Sequence, residues 1–459
     1  MANNDFYKKA HSLVEVDTAV RFDVPIGSDH EFFTDFSDVR GDFEDRMIYK
    51  ALKVNPTTYV YNDLANRGNK TLLFLAGMRG SGKTSELAKI ALRLNHPNGF
   101  FCVACNLDDG LDLNDMEYMD IVIFQLERLF EELYKIDFEI DESIIASLQN
   151  WFSERVREVN KAIKRDDGFE VEISAGVPGF LSFIGLAAKV KSNLLGSKEN
   201  AQKIRTVFKN NFSDFARQFN LFVEEVNFKL RETKTAKELL FVVDGIEKAA
   251  SLDIRKKIIL EEANRIRLIC ANTIFTLPIE LMPERQKLIV FSTVVSFPFV
   301  KIRERNGDIV EKAVQRFIEF TYKRIDKKLF DSPETVRKAI MMGGGSPREY
   351  LRVLEYANMF TKDDDQVITI EALEKGIRKL AAETTQYVST SDLEKLKTLK
   401  QANEKGEVMP FDTDWQDLLE KLIILEYNDG TYKRVNPIVE ESQLYKQVFK
   451  NRRVVSRIS

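Results

Sequence analysis

The amino-acid sequence predicts an α/β fold built around a parallel sheet. The first observation is an apolar strand pattern, Lys70–Gly77, which ends at a glycine-rich turn and continues as helical spacing over Lys83–Asn95. The second is another apolar run, Leu239–Val243, which ends in Asp244. The third is the length of 459 residues, which is enough for two or three domains with their own cores.

The turn after the first strand has the spacing GxxxxGK[ST], from Gly77 to Thr84. Small residues let successive backbone N–H groups surround a phosphate, and the following helix directs its positive dipole end at the same anion. A merely tight turn would not require Lys-Thr at its end. We expect Lys83 to contact the β- and γ-phosphates and the Thr84 hydroxyl to ligate Mg²⁺. The predicted nucleotide-binding residues are Gly77, Arg79, Gly80, Ser81, Gly82, Lys83, Thr84 and Ser85.

Two carboxylates follow the second strand. Asp244 stands at the strand tip and Glu247 comes three residues later. A P-loop enzyme needs one carboxylate to hold water on Mg²⁺ and another to polarise the attacking water. We therefore predict that Asp244 serves the metal together with Thr84, and that Glu247 acts on the water.

The segments GMRGSGKT and LLFVVDGIE together resemble the additional-strand P-loop ATPases, in the AAA+ and STAND (signal-transduction ATPase) branch. In typical AAA+ proteins the glutamate directly follows the aspartate. Here Gly245 and Ile246 intervene, which is closer to STAND-type and origin-recognition-like relatives. The resemblance implies a P-loop NTPase core that binds ATP and Mg²⁺, and it leaves open which residue is the catalytic base.

The same resemblance implies roles for residues further along the chain. The strand in Asn272–Leu281 would lie between the two motif strands, with Thr276 sensing the γ-phosphate, although a Thr hydroxyl satisfied at a strand end is an equal alternative. Arg348, early in a helix capped by Ser346 and Pro347, resembles a lid arginine that contacts the nucleotide. Three arginines are candidates, by position only, for an arginine finger that a neighbouring subunit would supply: Arg285, Arg303 and Arg305. The default interpretation of each is an arginine on the solvated surface.

The chain divides into four predicted parts. They are an N-terminal segment packing on the core (1–69), the ATPase core (70–330) with a helical insertion at about 110–235, a helical lid (331–400) and a winged helix with a basic tail (401–459). Within them we expect a helix over Asp38–Val54, one long amphipathic helix over Ile204–Leu230, and a hairpin or flexible loop over Phe169–Asn193. The apolar segment Ile173–Ala188 is too short for a membrane span and is either buried or a contact surface.

A hairpin is predicted near the C-terminus, around the turn Asn428-Asp429-Gly430. A helix that leads into a hairpin resembles the winged helix that follows the lid in origin-recognition-like and STAND ATPases. The cations of the last residues could contact phosphate backbone, or form a solvated tail: Lys446, Lys450, Arg452, Arg453 and Arg457. DNA is therefore a candidate partner.

Composition and sequence patterns argue against several other classes of protein. The formal net charge of −4 argues against wholesale attraction to nucleic acid or anionic membrane. Neither a secretory leader pattern nor a membrane span is apparent, so we expect a cytoplasmic protein that does not engage membranes. Cys102 and Cys105 form a CxxC on a predicted buried strand, where packing is favoured over zinc or redox chemistry.

The leading hypothesis is an AAA+/STAND-like ATPase that acts as a molecular switch on protein assembly or nucleic acid, with nucleotide-dependent homo-oligomers or a partner protein. Relatives by resemblance occur in bacterial defence and mobile-element systems. The alternative is a nucleotide-gated DNA-binding module of the initiator or transposition-regulator type with little hydrolysis. A small-molecule kinase is disfavoured by the predicted lid and winged helix.

Overall fold

A five-stranded parallel sheet organises the fold. The computed structural model describes residues 7–22, 25–62, 70–162, 180–196, 198–409, 413–428 and 430–450. The strands are β1 (Leu72–Gly77), β2 (Phe100–Asn106), β3 (Glu238–Asp244), β4 (Asn272–Pro278) and β5 (Thr293–Ser296). Their order is β2-β3-β4-β1-β5, and every pair is parallel. Strand β4 thus lies between β1 and β3, as the resemblance implied, and the carboxyl ends of β1 and β3 meet one edge of the sheet.

Helices cover the sheet and form the rest of the molecule. They are α1 (Val16–Ala19), α2 (Arg46–Ala51), α3 (Lys83–Leu94), α4 (Tyr118–Lys135), α5 (Glu142–Ala162), α6 (Phe180–Leu194), α7 (Lys198–Asn210), α8 (Phe212–Glu232), α9 (Leu252–Lys256), α10 (Ala263–Ile266), α11 (Gln286–Ile289), α12 (Glu311–Arg324), α13 (Pro333–Met342), α14 (Pro347–Met359), α15 (Ile370–Thr384), α16 (Thr390–Lys405), α17 (Gln416–Glu420), α18 (Pro437–Glu441) and α19 (Gln443–Lys450). Within the described residues, none of these helices combines the length and apolarity needed to cross a bilayer.

Both faces of the sheet are buried, which explains why its strands are continuously apolar. Successive side chains of β1 point to opposite faces. Leu73 and Leu75 pack on the face covered by α3, and Phe74 and Ala76 pack on the face covered by α4 and α8. The strand pattern of Lys70–Gly77 is therefore confirmed as a central strand.

The CxxC on β2 is a packing feature. Cys105 is buried on one face of the sheet, and Cys102 packs against the hydrophobic cluster on the other. Burial raises the pKa of both thiols, which disfavours the thiolate that metal binding and redox exchange require. Among the described residues there is no cluster of His, Cys, Asp and Glu with metal-ligand geometry.

The predicted single helix over Ile204–Leu230 is wrong, because the chain forms α7 and α8 with a break at Asn211. The Asn211 side chain donates to the Val207 carbonyl at 2.8 Å and accepts from Arg155 at 2.9 Å. Such bonds compete with helical backbone hydrogen bonds. The aromatic stripe is nevertheless core rather than partner surface, since these side chains are at most 3% exposed: Phe208, Phe212, Phe215, Phe219 and Phe222.

The predicted hairpin or loop over Phe169–Asn193 is wrong for residues 180–193, which belong to α6. Residues 163–179, with the first part of the apolar segment Ile173–Ala188, lie outside the described residues. Helix α6 packs into the insertion core, where the Phe183 ring stacks on Phe130 at 4.2 Å between centroids. The buried side chains at 183, 187, 190 and 194 have helical spacing, which the Gly/Pro-containing stretch before them obscures.

The helix predicted over Asp38–Val54 is shorter than expected and covers only Arg46–Ala51. Gly41 adopts φ +70°, which interrupts the helical path. The N-terminal segment packs in two places. Residues up to Val39 share a hydrophobic cluster with α12–α15, whereas residues from Phe43 onward pack on the sheet.

A C-terminal module of α16–α19 and an antiparallel hairpin packs on the edge of the sheet that carries the glycine-rich turn. The hairpin strands are β6 (Ile424–Tyr427) and β7 (Tyr432–Val435), which confirms the predicted hairpin. The module's hydrophobic cluster includes Met78 of the turn and Ile279 beside β4. In the turn of the hairpin, Asp429 lies outside the described residues.

The basic tail is only partly described. Lys446 forms an ion pair with Glu441 at 2.5 Å. The side chain of Lys450 and the residues Arg452, Arg453 and Arg457 lie outside the described residues. DNA binding through this tail stays a prediction.

A glycine hinge, Gly343–Gly345, joins α13 to α14. The cap predicted after it is confirmed: the Ser346 hydroxyl accepts from the Glu349 amide at 3.2 Å, and Pro347 takes the first helical position. The Tyr427 hydroxyl of the hairpin donates to the Gly344 carbonyl at 2.6 Å. The hinge therefore lies in contact with the C-terminal module.

Gly345→Ala is expected to destabilise the protein more than Gly406→Ala. Both glycines have positive φ, of +82° and +71°, which costs an alanine about 1–2 kcal/mol. A Cβ on Gly345 would also overlap the Val300 carbonyl oxygen, whereas a Cβ on Gly406 meets open space. Urea unfolding of both variants separates the two effects. Equal losses would contradict the close approach at the hinge.

Candidate functional site

The glycine-rich turn curls at the carboxyl end of β1 and leads into α3. Gly80 and Gly82 adopt φ of +83° and +93°, a conformation that L side chains rarely take. A Cβ on Gly77 would lie 2.6 Å from the Phe297 carbonyl oxygen. The three glycines are therefore required by backbone geometry, and Lys83 follows as the first residue of α3.

Lys83 is buried inside the turn, with 3% of its surface exposed. Its ammonium donates to the carbonyls of Gly77 at 2.9 Å and Met78 at 3.1 Å. The same Nζ lies 3.2 Å from Oε1 of Glu247. The turn thus holds a positive charge beside its own N–H groups, paired with one of the predicted carboxylates.

Thr84 and Asp244, 160 positions apart, are in direct contact. The Thr84 hydroxyl donates to Oδ2 of Asp244 at 2.6 Å. Oδ1 of the same carboxylate has no hydrogen-bond partner in the part of the chain that the structure describes. A hydroxyl beside a carboxylate with an open oxygen fits the hard oxygen ligands that Mg²⁺ takes. These two residues could hold the metal, as the sequence predicted.

Burial, and then the neighbouring charge of Glu247, raise the pKa of Asp244 to about 6. Burial also favours a higher pKa for Glu247. The Lys83 ammonium and the Thr276 hydroxyl outweigh this effect, so the pKa of the Glu247 carboxyl is lowered. The Thr276 hydroxyl also accepts from the Gly245 amide at 3.1 Å. Oε2 of Glu247 has no hydrogen-bond partner among the described residues, so an ionised carboxylate with an open oxygen lies beside Lys83.

Asp244→Asn is expected to stabilise the ligand-free protein at pH 7.5. Because the folded-state pKa lies above the unfolded one, the carboxyl favours folding when protonated, and this stabilisation is lost as pH rises from about 4 to about 6. A difference of about two pKa units corresponds to about 3 kcal/mol in the free energy of unfolding. The advantage of the variant should fall by about half at pH 5. Urea unfolding at both pH values measures the difference in stability between the variant and the wild type. A variant less stable than the wild type at pH 7.5 would contradict the raised pKa of Asp244.

Arg348 reaches the turn from the first turn of α14. A Cβ on Gly80 would lie 2.9 Å from Cβ of Arg348, so only glycine allows this approach. The Ser346 hydroxyl donates to the Gly80 carbonyl at 3.2 Å. Burial, and then the nearby Arg79, lower the pKa of Arg348. The arginine that the resemblance named therefore contacts the glycine-rich turn.

A cavity of about 430 Å³ opens between the turn, α14 and the N-terminal segment, which is a suitable size for a small ligand. Of the predicted site residues, it is lined by Arg79, Gly80, Gly82, Lys83, Thr84, Ser85, Glu247 and Arg348. Much of the remaining wall is apolar and comes from Phe22, Pro25, Ile26, Phe33, Phe36 and Leu351. The other predicted site residues do not line the cavity: Gly77, Ser81, Asp244 and Thr276.

The three finger candidates lie away from this cavity. Arg305 donates to the Thr431 carbonyl at 2.7 Å and Arg303 to the Gly307 carbonyl at 3.0 Å. Arg285 and Arg305 line a separate cavity beside the hairpin. A contribution to the site of a second copy stays a prediction for each of them.

Sequence reasoning missed several polar residues of the cavity, among them Arg40, Arg324 and Thr34. Arg40 is 4% exposed and donates to the Ser81 carbonyl of the turn at 2.7 Å. Burial lowers the pKa of Arg40 to about 10. None of the three belongs to a motif, and no periodicity marks them, because each reaches the cavity only through the packing of the N-terminal segment and α12 on the core.

The comparisons with known proteins add no relative. No protein-family model matches the chain, and no curated protein matches it. What the structure establishes is a mixed α/β fold with a central parallel sheet of order β2-β3-β4-β1-β5, compatible with a P-loop-like core. The resemblance to the AAA+/STAND branch rests on the motifs.

Proposed function

We propose that the chain is an AAA+/STAND-like ATPase that binds ATP with Mg²⁺ in the 430 Å³ cavity and hydrolyses it. One observation carries the proposal: the Thr84 hydroxyl lies 2.6 Å from the Asp244 carboxylate. A phosphate-binding turn alone accounts for nucleotide binding. The contact between its threonine and the carboxylate at the tip of β3 provides oxygen ligands of the kind that a magnesium-dependent triphosphate site requires.

Lys83 and the turn hold the phosphates in this proposal. The ammonium is already buried and oriented by two carbonyls of the turn, so little entropy is lost when an anion binds. Thr84 and Asp244 would hold Mg²⁺, which neutralises charge on the phosphates when bound. Such a site acts mainly by positioning and electrostatic stabilisation.

Glu247 accepts a hydrogen bond from the attacking water. Its pKa is lowered, so it is ionised at neutral pH and can act as an acceptor. Thr276 holds the backbone of the same turn through the Gly245 amide. Thr276 therefore acts in this proposal as a positioning residue for both acidic side chains.

The contacts of the turn with two neighbouring parts of the molecule support a switch. The lid touches it through Arg348 and Ser346, and the C-terminal module packs on it through Met78. A phosphate that moves the turn would therefore shift its contacts with both. We propose that ATP occupancy changes assembly with copies of this chain or with a partner protein.

Two measurements test the function. Titration calorimetry with ATP and Mg²⁺ should give a saturable heat, and phosphate release should stop when EDTA removes Mg²⁺. Light scattering with ADP and then with a non-hydrolysable ATP analogue reports the change in assembly. If neither adenine nor guanine nucleotides bind, the proposed ATPase function is overturned. If nucleotide binds but light scattering gives the same mass with each nucleotide, only the proposed switch is overturned.

A further inference from the structure

We propose that Arg324 reads the nucleotide base by donating a hydrogen bond to a purine ring nitrogen, with Thr34 beside it. This inference rests on the proposed nucleotide-binding function and names the residues that select the base. It concerns the part of the cavity wall that belongs to none of the sequence motifs.

Arg324 is a buried cation with one edge anchored and one edge open. It ends α12, lines the cavity and is 3% exposed. Nη1 donates to the carbonyls of Phe32 at 2.9 Å and Phe320 at 3.0 Å. Nε has no hydrogen-bond partner in the described ranges, and the groups that act on the charge of this guanidinium are two tyrosines, Tyr7 and Tyr350, rather than a carboxylate.

The open edge is held in a fixed plane. The guanidinium carbon lies 3.6 Å from the centroid of the Phe320 ring, which fixes its orientation. Leaving buried donors unpaired costs free energy, and an acceptor that enters the cavity would recover it. Burial lowers the pKa of Arg324 to about 9, so the group stays charged at neutral pH.

Thr34 provides a second open polar group close by. It follows the anchoring Phe32 by two residues, lines the cavity and is 7% exposed. Its Oγ1 has no hydrogen-bond partner among the described residues. A hydroxyl can donate or accept, so Thr34 complements a base edge that carries either an amino group or an acceptor.

The surroundings favour a base over a phosphate as the group that Arg324 meets. Phe320, which lies under the guanidinium, lines the cavity together with Phe33 and Phe36, and apolar aromatic walls suit a flat heterocycle. The phosphates have their own cradle of backbone N–H groups and Lys83 in the glycine-rich turn. Arginine donates well to purine ring nitrogens.

The test compares ADP with its 1-deaza, 3-deaza and 7-deaza analogues, each of which lacks one ring acceptor. Diphosphates are used because they are not turned over during calorimetry. The wild type should lose about tenfold in affinity for one of the three analogues. In Arg324→Met, affinity for ADP should fall about tenfold, and the extra loss with that analogue should disappear.

Arg316→Met, on the same helix but exposed and paired with Asp38, is the matched control and should bind as the wild type does. A merely structural Arg324 would lower affinity for all four ligands by one factor, which overturns the proposal. Thermal unfolding shows whether Arg324→Met is folded. If it is not, the affinities of the wild type and of Thr34→Val for the four ligands still test the proposal. If the wild type binds all three analogues as tightly as ADP, the proposed recognition of the base is overturned and the proposed function is not. If it binds neither ADP nor ATP, the proposed function is overturned as well.

Discussion

Lys83→Ala is expected to abolish magnesium-dependent ATP hydrolysis. The ammonium is the buried cation at the centre of the turn, and removal of one preorganised charge from such a site costs on the order of 10²–10³-fold in rate. Affinity for ATP should fall as well, since the phosphates lose a charge-assisted partner. Phosphate release under saturating ATP measures the rate, and calorimetry measures the affinity.

The control for this variant is Lys405→Ala. Lys405 is 67% exposed, and its ion pair with Glu407 at 4.0 Å is at the surface, where such pairs contribute little. It should hydrolyse ATP as the wild type does. Lys83 also contacts Glu247, so the variant leaves a buried carboxylate without its cation. Its fold must therefore be checked by thermal unfolding, and a folded Lys83→Ala protein with normal turnover would remove the turn from catalysis.

Glu247→Gln is expected to separate binding from hydrolysis. The carboxylate is the proposed acceptor for the attacking water, and loss of a general base costs about 10²–10⁴-fold. Affinity for ATP should be retained or rise. In the ligand-free protein Glu247 lies 3.2 Å from the Lys83 ammonium and competes with phosphates for it, and glutamine removes that competition.

Single-turnover measurements distinguish this outcome from simple inactivation. The Glu247→Gln protein should bind ATP and retain it unhydrolysed, whereas Glu407→Gln, on the exposed surface, should behave as the wild type. Normal turnover in Glu247→Gln would assign the water to another group. Asp244 would then be the next residue to test, since one of its carboxylate oxygens has no hydrogen-bond partner among the described residues.

The contacts around the turn give the two variants a second readout. Met78 packs within the C-terminal module, Ser346 bonds to the Gly80 carbonyl, and the hairpin bonds to the Gly344 carbonyl of the hinge. If occupancy of the turn changes assembly, Glu247→Gln with ATP should keep the ATP-bound mass in light scattering. Lys83→Ala should keep the nucleotide-free mass with or without ATP.

Much of the site could be predicted because it belongs to local motifs. The positive φ of Gly80 and Gly82 and the burial of Lys83 agree with the GxxxxGK[ST] spacing, which is typical of a phosphate-binding turn. The contact between Thr84 and Asp244 could be expected, since the turn before Thr84 follows the carboxyl end of β1 and Asp244 ends β3 in the same parallel sheet. Strand patterns were equally readable, because both faces of the sheet are apolar.

Local signals failed where long-range contacts decide. Asn211 divides a continuous aromatic stripe because its side chain has partners on α5 and on its own preceding turn. Residues 180–193 are helical because their apolar face is buried in the insertion core, not because of their Gly/Pro context.

By itself the sequence determined the sheet, the glycine-rich turn and the acidic strand tip, because each depends on neighbouring residues and on a fixed spacing. Only the tertiary structure decided that Arg40, Arg324 and Thr34 line the same cavity. Arg324 and Thr34 lie 290 positions apart and come to one cavity through the packing of the N-terminal segment on α12, where the buried Arg324 donates to the Phe32 carbonyl. No periodicity encodes such a contact, since its free energy comes from burial of groups far apart along the chain.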